Sequence, residues 1–372
     1  MANLFPRVDP IPLPAPVWLF KALHHLTLSL HFTFLAMLVG GLFLCVLWNL
    51  YGHATRNKTA LEASGVVANR LPIITTYVIN LGIPPLLFVQ VLYGRAIYTS
   101  TILIGLYWIS VIFAVMAAYF SLYRMAHLAE KGKSWWPWGL AALVLIAYVG
   151  RVYSTASTLM LKPEVWPAMY DASVSGTHLP PPDPTLLPRL LTVLVGSLGF
   201  GALGTALYSS KSTLSDEVKA FIRKGAGLLG LAALFAESFI GYWAFQSQPD
   251  FVRQGLSSSA FCQPFLYLWP ACLGLSLLGA LWLVLSPKGW SWAKILAVSL
   301  PPFLTIASFE ILRDGVRDIT LLRAGFDVWQ SPVNTNWLVV GLFLGLFVIG
   351  AAFLVWVLTV VRRAKPSEEH YA

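Results

Sequence analysis

Nine apolar runs, each about 20 residues or longer, occupy most of this chain: 17–50, 71–94, 101–123, 137–161, 187–209, 221–245, 264–286, 290–312 and 336–361. About 20 apolar residues are what a helix needs to cross the hydrocarbon of a bilayer. The runs do not alternate apolar and polar residues as membrane strands do, which excludes a barrel. The expected fold is an all-α polytopic membrane helix bundle with about nine transmembrane helices.

Composition agrees. Of 372 residues, 57% are hydrophobic and 11% are charged, against about 25% charged in soluble domains. The net charge of +9 lies in short clusters between the runs, which excludes nucleic-acid binding. The segments "GHATRNK", "RMAHLAEKGK", "KSTLSDEVKAFIRK", "SPKGWSWAK" and "VVRRAKPSEEHYA" are basic, and the stretches 162–186 and 246–263 are neutral to acidic. Placing the basic segments in the cytoplasm accommodates all nine spans, with the N-terminus outside and the C-terminus cytoplasmic. The chain then divides into an external N-terminal segment (1–16), a transmembrane domain (17–361) and a cytoplasmic tail (362–372).

The Pro-rich start "MANLFPRVDPIPLPAPVW" has no basic region followed by an apolar core, so it does not read as a cleavable signal peptide. Cys45, Cys262 and Cys272 form no CxxC or CxxCH pattern, which removes c-type haem attachment and zinc ribbons. "GIPPLLF" and "LPPF" put proline pairs inside the second and eighth spans, where helices kink and free carbonyls need partners. "THLPPPDPTLLP" is expected to be extended and outside, as a stiff connector or a segment that docks a partner. The Trp pairs of "SWWPWG" and at 290 and 292 read as interfacial belts. No repeat, P-loop, hydrolase triad or HExxH occurs, and the loops are too short for a soluble domain.

Polar residues inside the runs carry the functional signal. An ionisable group in hydrocarbon costs at least roughly 2.5–3.5 kcal/mol and needs a partner or a function. The expected topology gathers such groups toward the outer face: His24, His25 and His31 in the first span, Gln90 and Arg95 in the second, Arg151 in the fourth, Arg189 in the fifth, Glu237 in the sixth, and Glu310 with Arg313 in the eighth. His24 and His31 are seven apart, hence on one helix face and about 10 Å apart along the axis. That is too far for one ion and compatible with a large planar cofactor. Snorkelling to the interface is the plain alternative for Arg95, Arg189 and Arg313, which lie near span ends, and hydrogen bonding within the interior is the plain alternative for His31.

Several of these stretches resemble subunit I of the cytochrome bd-type quinol oxidases. "HFTFLAMLVGG" is similar to the family's first helix, where a haem-ligand histidine precedes a similar run. "VINLGIPPLLFVQVLYGRAIYTS" resembles its second helix, and "SLPPFLTIASFEILRDGV" with "LLRAGFDVWQSPV" resembles its Glu-x-x-Arg span end, Leu-Arg element and Ser-Pro. The resemblance implies that His31 is a haem ligand, that Glu310 ligates a second haem, and that Arg313 follows it as in the family.

The departures limit what carries over. Thr192 lies near the place of a ligand histidine in span 5, and no methionine follows Met169, so the family's His/Met haem has no donors. The quinol-binding loop after span 6 is reduced to "QSQPDFVRQGLSSSAFCQ", an acidic residue of span 2 is Gln90, and Arg-Gln-Pro-Trp is replaced by "RDGV".

What the resemblance implies is an integral subunit of a respiratory electron-transfer complex in the bacterial inner membrane. It would bind one or two b-type haems near the outer face and link the quinone pool to a partner. His31 and Glu310 would ligate haem iron, with His24 or His25 as alternative ligand or propionate contact. Arg151, Arg189 and Arg313 would be anion contacts, and Gln90 and Glu237 polar groups of the pocket. Partners would be membrane lipid, further membrane subunits and an external c-type cytochrome or other redox protein. The alternative is a haem-free anchoring subunit whose polar groups join helices. A transporter is the third reading, disfavoured because the ionisable groups sit at one face and no inverted repeat is seen.

Overall fold

The computed structural model describes residues 5–6, 11–210 and 213–363. It contains twelve α-helices among those residues: α1 (Val17–Thr55), α2 (Lys58–Ala68), α3 (Leu71–Leu103), α4 (Gly105–Glu130), α5 (Trp136–Leu159), α6 (Trp166–Ala172), α7 (Leu186–Ala206), α8 (Asp216–Gln246), α9 (Asp250–Ser258), α10 (Gln263–Leu285), α11 (Trp292–Arg323) and α12 (Trp337–Arg363). Nine helical segments among them are long and apolar enough to cross a membrane, one for each run read from the sequence. Most of the cytoplasmic tail expected at 362–372 lies outside the described residues, as do most of positions 1–10.

The helices form a bundle in which α1 is central. It packs along α3 and α7; α7 packs on α8, α8 on α10, α10 on α11, and α4 on α5. The interior holds Leu38, Leu42, Leu71, Leu122, Leu203 and Ile222 among others, and Leu, Phe and Ile side chains cover the exterior, as bilayer-facing surfaces require. α12 lies on the outside with nearly all of its described residues exposed. The starts of α1, α7 and α10 and the ends of α3, α5, α8 and α11 share one end of the bundle, called the head end below. There Leu13 of the N-terminal segment donates its N–H to the Pro332 carbonyl at 2.7 Å and accepts from Asn334 at 2.9 Å.

Backbones meet where glycines allow it. A Cβ built on Gly201 of α7 would stand 1.7 Å from the Ala36 carbonyl oxygen of α1, and one on Gly40 would stand 2.6 Å from Ala202 N. Helix–helix association in lipid depends on such close packing of small residues.

Both proline pairs lie within helical stretches of α3 and α11, and the kink of α3 falls elsewhere. The non-helical residue of α3 is Tyr93 (φ −127°, ψ 28°), eight positions beyond Pro85. Imidazoles of α1 bond carbonyls before and within the α3 proline pair: His31 Nδ1 to the Val78 oxygen at 2.9 Å and His24 Nδ1 to the Pro85 oxygen at 3.1 Å.

Candidate functional site

The polar groups that the sequence assembles at one depth separate in space into three arrangements. The first is a small cavity between α1, α7, α8, α10 and α11, lined by Phe32, Thr192, Gly196, Glu237, Trp269 and Glu310 among others. Glu237 and Glu310 are 1% and 2% exposed. Glu310 Oε2 accepts from Arg313 Nη1 at 3.2 Å, whereas Glu310 Oε1 and Glu237 Oε2 are buried and meet no donor among the described residues. Arg313 also lies 5.8 Å from the centre of the Phe32 ring. Gly196 lies against Glu237: a Cβ there would be in ordinary contact, 3.5 Å from its carboxyl carbon. The cavity measures about 30 Å³, space for one or two waters.

The second arrangement is a buried ionic network of α1, α3 and α11. Lys21 Nζ donates to Tyr93 Oη at 2.7 Å, Asp314 Oδ2 at 2.8 Å and Asp318 Oδ2 at 2.5 Å. Tyr93 Oη donates to Asp318 at 2.6 Å and lies 3.1 Å from Asp314 Oδ1, and Arg317 reaches Asp314 at 2.8 Å. His25 joins this group, its Nε2 standing 3.4 Å from Asp314 Oδ2. Lys21, Tyr93, Asp314, Asp318 and Arg317 were not singled out in the sequence. The signal was available as charges spaced i, i+3 and i+4 in "RDGVRD", one helical face beyond the apolar run.

The third is a larger pocket of about 380 Å³ at the head end, lined by Lys162, Asp183, Arg189, Gln248 and Arg323 among others. Arg189 therefore opens onto a different space from that lined by Glu310. Five candidates belong to none of the three: His24 and His31, which bond α3 carbonyls, Arg95, whose Nε donates to the Pro6 carbonyl at 2.9 Å, and Arg151 and Gln90. Arg151 is exposed on α5 and bonds Thr155, one turn toward the head end, at 2.8 Å, the direction a snorkelling arginine takes. Gln90 is half-buried on α3, one turn before Tyr93.

A scan against protein families finds no match, and no curated protein matches at the level of sequence. Comparison with solved structures finds a chain in the structure of bd oxidase from Geobacillus thermodenitrificans, with a TM-score of 0.68 and 12% identity, covering 95% of this chain and 100% of that one. The fold is that of a bd oxidase chain. At 12% identity the likeness is one of fold, and it agrees with the resemblance drawn from the first, second and eighth spans. The bd-oxidase-like bundle described here is a multi-pass membrane architecture.

The donors can be tested against b-type haem on their own geometry. A carbonyl only accepts, so in the neutral rings of His24 and His31 the proton sits on Nδ1 and the Nε2 lone pair is left for a ligand. That carbonyl-anchored tautomer is the usual arrangement of a metal-binding histidine. Glu310 offers a carboxylate oxygen with no donor, its other oxygen held by Arg313. In donor chemistry His31 and Glu310 would both suit haem iron. His31 does not line the Glu310 cavity, so the two would serve different irons. The Glu310 cavity, at about 30 Å³, has no room for a macrocycle with the side chains as they stand.

Proposed function

We propose that this chain is a bd-oxidase-like membrane subunit of a respiratory electron-transfer complex in a bacterial inner membrane. On this reading it binds b-type haem through His31 and Glu310 near the outer face and links the quinone pool to a partner. The observation that carries the reading is Glu310. It is a buried carboxylate at the position the family resemblance assigns to an iron ligand, with one oxygen meeting no donor among the described residues, and it lines a cavity. The fold likeness over 95% of the chain supports it.

Haem would supply one-electron redox chemistry when bound. The chain's own residues supply the rest. His31 presents Nε2 because Val78 holds its Nδ1–H at 2.9 Å. Arg313 fixes the rotamer of Glu310 through Oε2 and leaves Oε1 to the ligand position. Phe32, Ile306, Phe309 and Trp269 give the Glu310 site an apolar wall, which keeps bulk water from the donor oxygen. His24 is the alternative imidazole donor, with the same tautomer. Further membrane subunits and an external c-type cytochrome are the partners this role implies.

The test is spectroscopic. The full chain purified in detergent is expected to show a Soret band and a reduced b-type α-band. His31→Ala and Glu310→Gln should each lower the haem-to-protein ratio, by about half if two haems of equal stoichiometry are bound. A colourless wild-type preparation would overturn haem binding. It would favour the anchoring reading, for which the His24 and His31 bonds to α3 and the Lys21–Asp314 network are the specific support, since both join helices with buried polar contacts.

A further inference from the structure

The head-end pocket is unused by that reading. It lies among four helix termini: the end of α5 at Leu159, the start of α7 at Leu186, the end of α8 at Gln246 and the end of α11 at Arg323. Four membrane-length helices stopping together mark the level of the lipid headgroups. Its volume, about 380 Å³, is within the range of small-molecule sites, about 300–1,000 Å³.

Its charges do not cancel. Three cations and two acids line it: Lys162, Arg189 and Arg323 against Asp183 and Glu164. Lys162 pairs directly with Asp183, which also accepts from the Thr185 N–H at 2.7 Å. Burial pushes the Asp183 carboxyl up, but Lys162 and the Thr185 donors more than offset it and hold its pKa below the ordinary value. That couple is therefore complete. Arg189 and Arg323 have no carboxylate within ion-pair distance among the described residues. The hydrogen bond of Arg189 is a long one to Thr158 Oγ1 at 3.4 Å, and Arg323 stacks over Phe251 at 4.2 Å. Two guanidinium groups from different helices, α7 and α11, thus open into one pocket with most of their donors idle.

We propose that this pocket binds a phosphate group. A guanidinium matches phosphate through paired N–H donors, and two of them lining one pocket can grip one tetrahedral anion. Thr158, Thr185 and Gln248 line the same space. The source is either an anionic phospholipid entering from the adjoining leaflet or a soluble phosphate entering from the aqueous side.

The full chain in detergent is titrated with dihexanoyl-phosphatidylglycerol, with phosphate-free dihexanoylglycerol and with inorganic phosphate, read by native mass spectrometry and calorimetry. Saturable one-to-one binding of the phosphatidylglycerol is expected, with none of the dihexanoylglycerol. Arg323→Gln and Arg189→Gln should each weaken binding at least tenfold. Arg323 is exposed, so its variant should keep the helical circular dichroism of the wild type even if Arg189→Gln misfolds. Displacement of the lipid by inorganic phosphate identifies a site open to both sources, and failure to displace it identifies the lipid; either result supports the proposal. Equal uptake of the phosphate-free lipid, or unchanged affinity in a folded Arg323→Gln, overturns it.

Discussion

Asp314→Ala is expected to cost about 3–5 kcal/mol, the usual penalty for removing one partner of a buried ion pair. Asp314 has a side chain only 7% exposed and is paired with Lys21 and Arg317, themselves 7% and 6% exposed, with His25 close by. Without that carboxylate Lys21 keeps Asp318, which is 23% exposed and reaches it at 2.5 Å, and Arg317 loses its ion-pair partner among the described residues. The loss arises less from a missing attraction than from desolvated charge left without an answer. Asp314→Asn should be milder, because it keeps an acceptor for Lys21 or Arg317, and Asp318→Ala milder than Asp314→Ala, because water can replace a partly exposed carboxylate. Thermal unfolding in detergent, followed by circular dichroism, gives the order. A melting temperature for Asp314→Ala equal to that of the wild type would show that the network contributes nothing to stability.

Gly201→Val should prevent the bundle from closing. The built Cβ would stand 1.7 Å from the Ala36 carbonyl oxygen and 3.0 Å from the Gly40 Cα. The obstacles are backbone atoms, so no rotamer change relieves the clash and α1 must separate from α7. Overpacking against movable side chains costs roughly 1–3 kcal/mol, and a clash with main chain should exceed that range. Gly150→Ala serves as the control, since nothing lies within 4 Å of its built Cβ. Size-exclusion chromatography of the two variants makes the comparison: Gly201→Val should aggregate or fail to accumulate while Gly150→Ala elutes as the wild type. A monodisperse Gly201→Val would mean that α1 and α7 do not approach as closely as described.

The single outer-face site expected from span depth was legible only in part. Depth along a helix follows from counting residues, so Glu237 and Glu310 could be placed at one level, and they do line one cavity. Azimuth about the axis is a different quantity, set by which neighbour each helix packs against. For that reason His25 joins Asp314, Arg189 opens into the head-end pocket, and Arg151 faces outward. Hydropathy also ended the eighth span at 312, whereas α11 runs on to Arg323. Asp314, Arg317 and Asp318 look like loop residues until Lys21 and Tyr93, more than 200 positions away in the chain, neutralise and bond them.

Apolar run length by itself determined the number of spans, because a backbone in hydrocarbon must bond within its own segment and so becomes a helix of a length the bilayer sets. The proline pairs in α3 and α11, the small residues of α1 and α7, and the short connections were likewise written in the sequence. Only the tertiary structure decided which charges meet. Ion pairing acts between side chains a few ångströms apart and falls away beyond, so the grouping of Lys21 with Asp314, and of Arg189 with Arg323, exists only once the helices have docked.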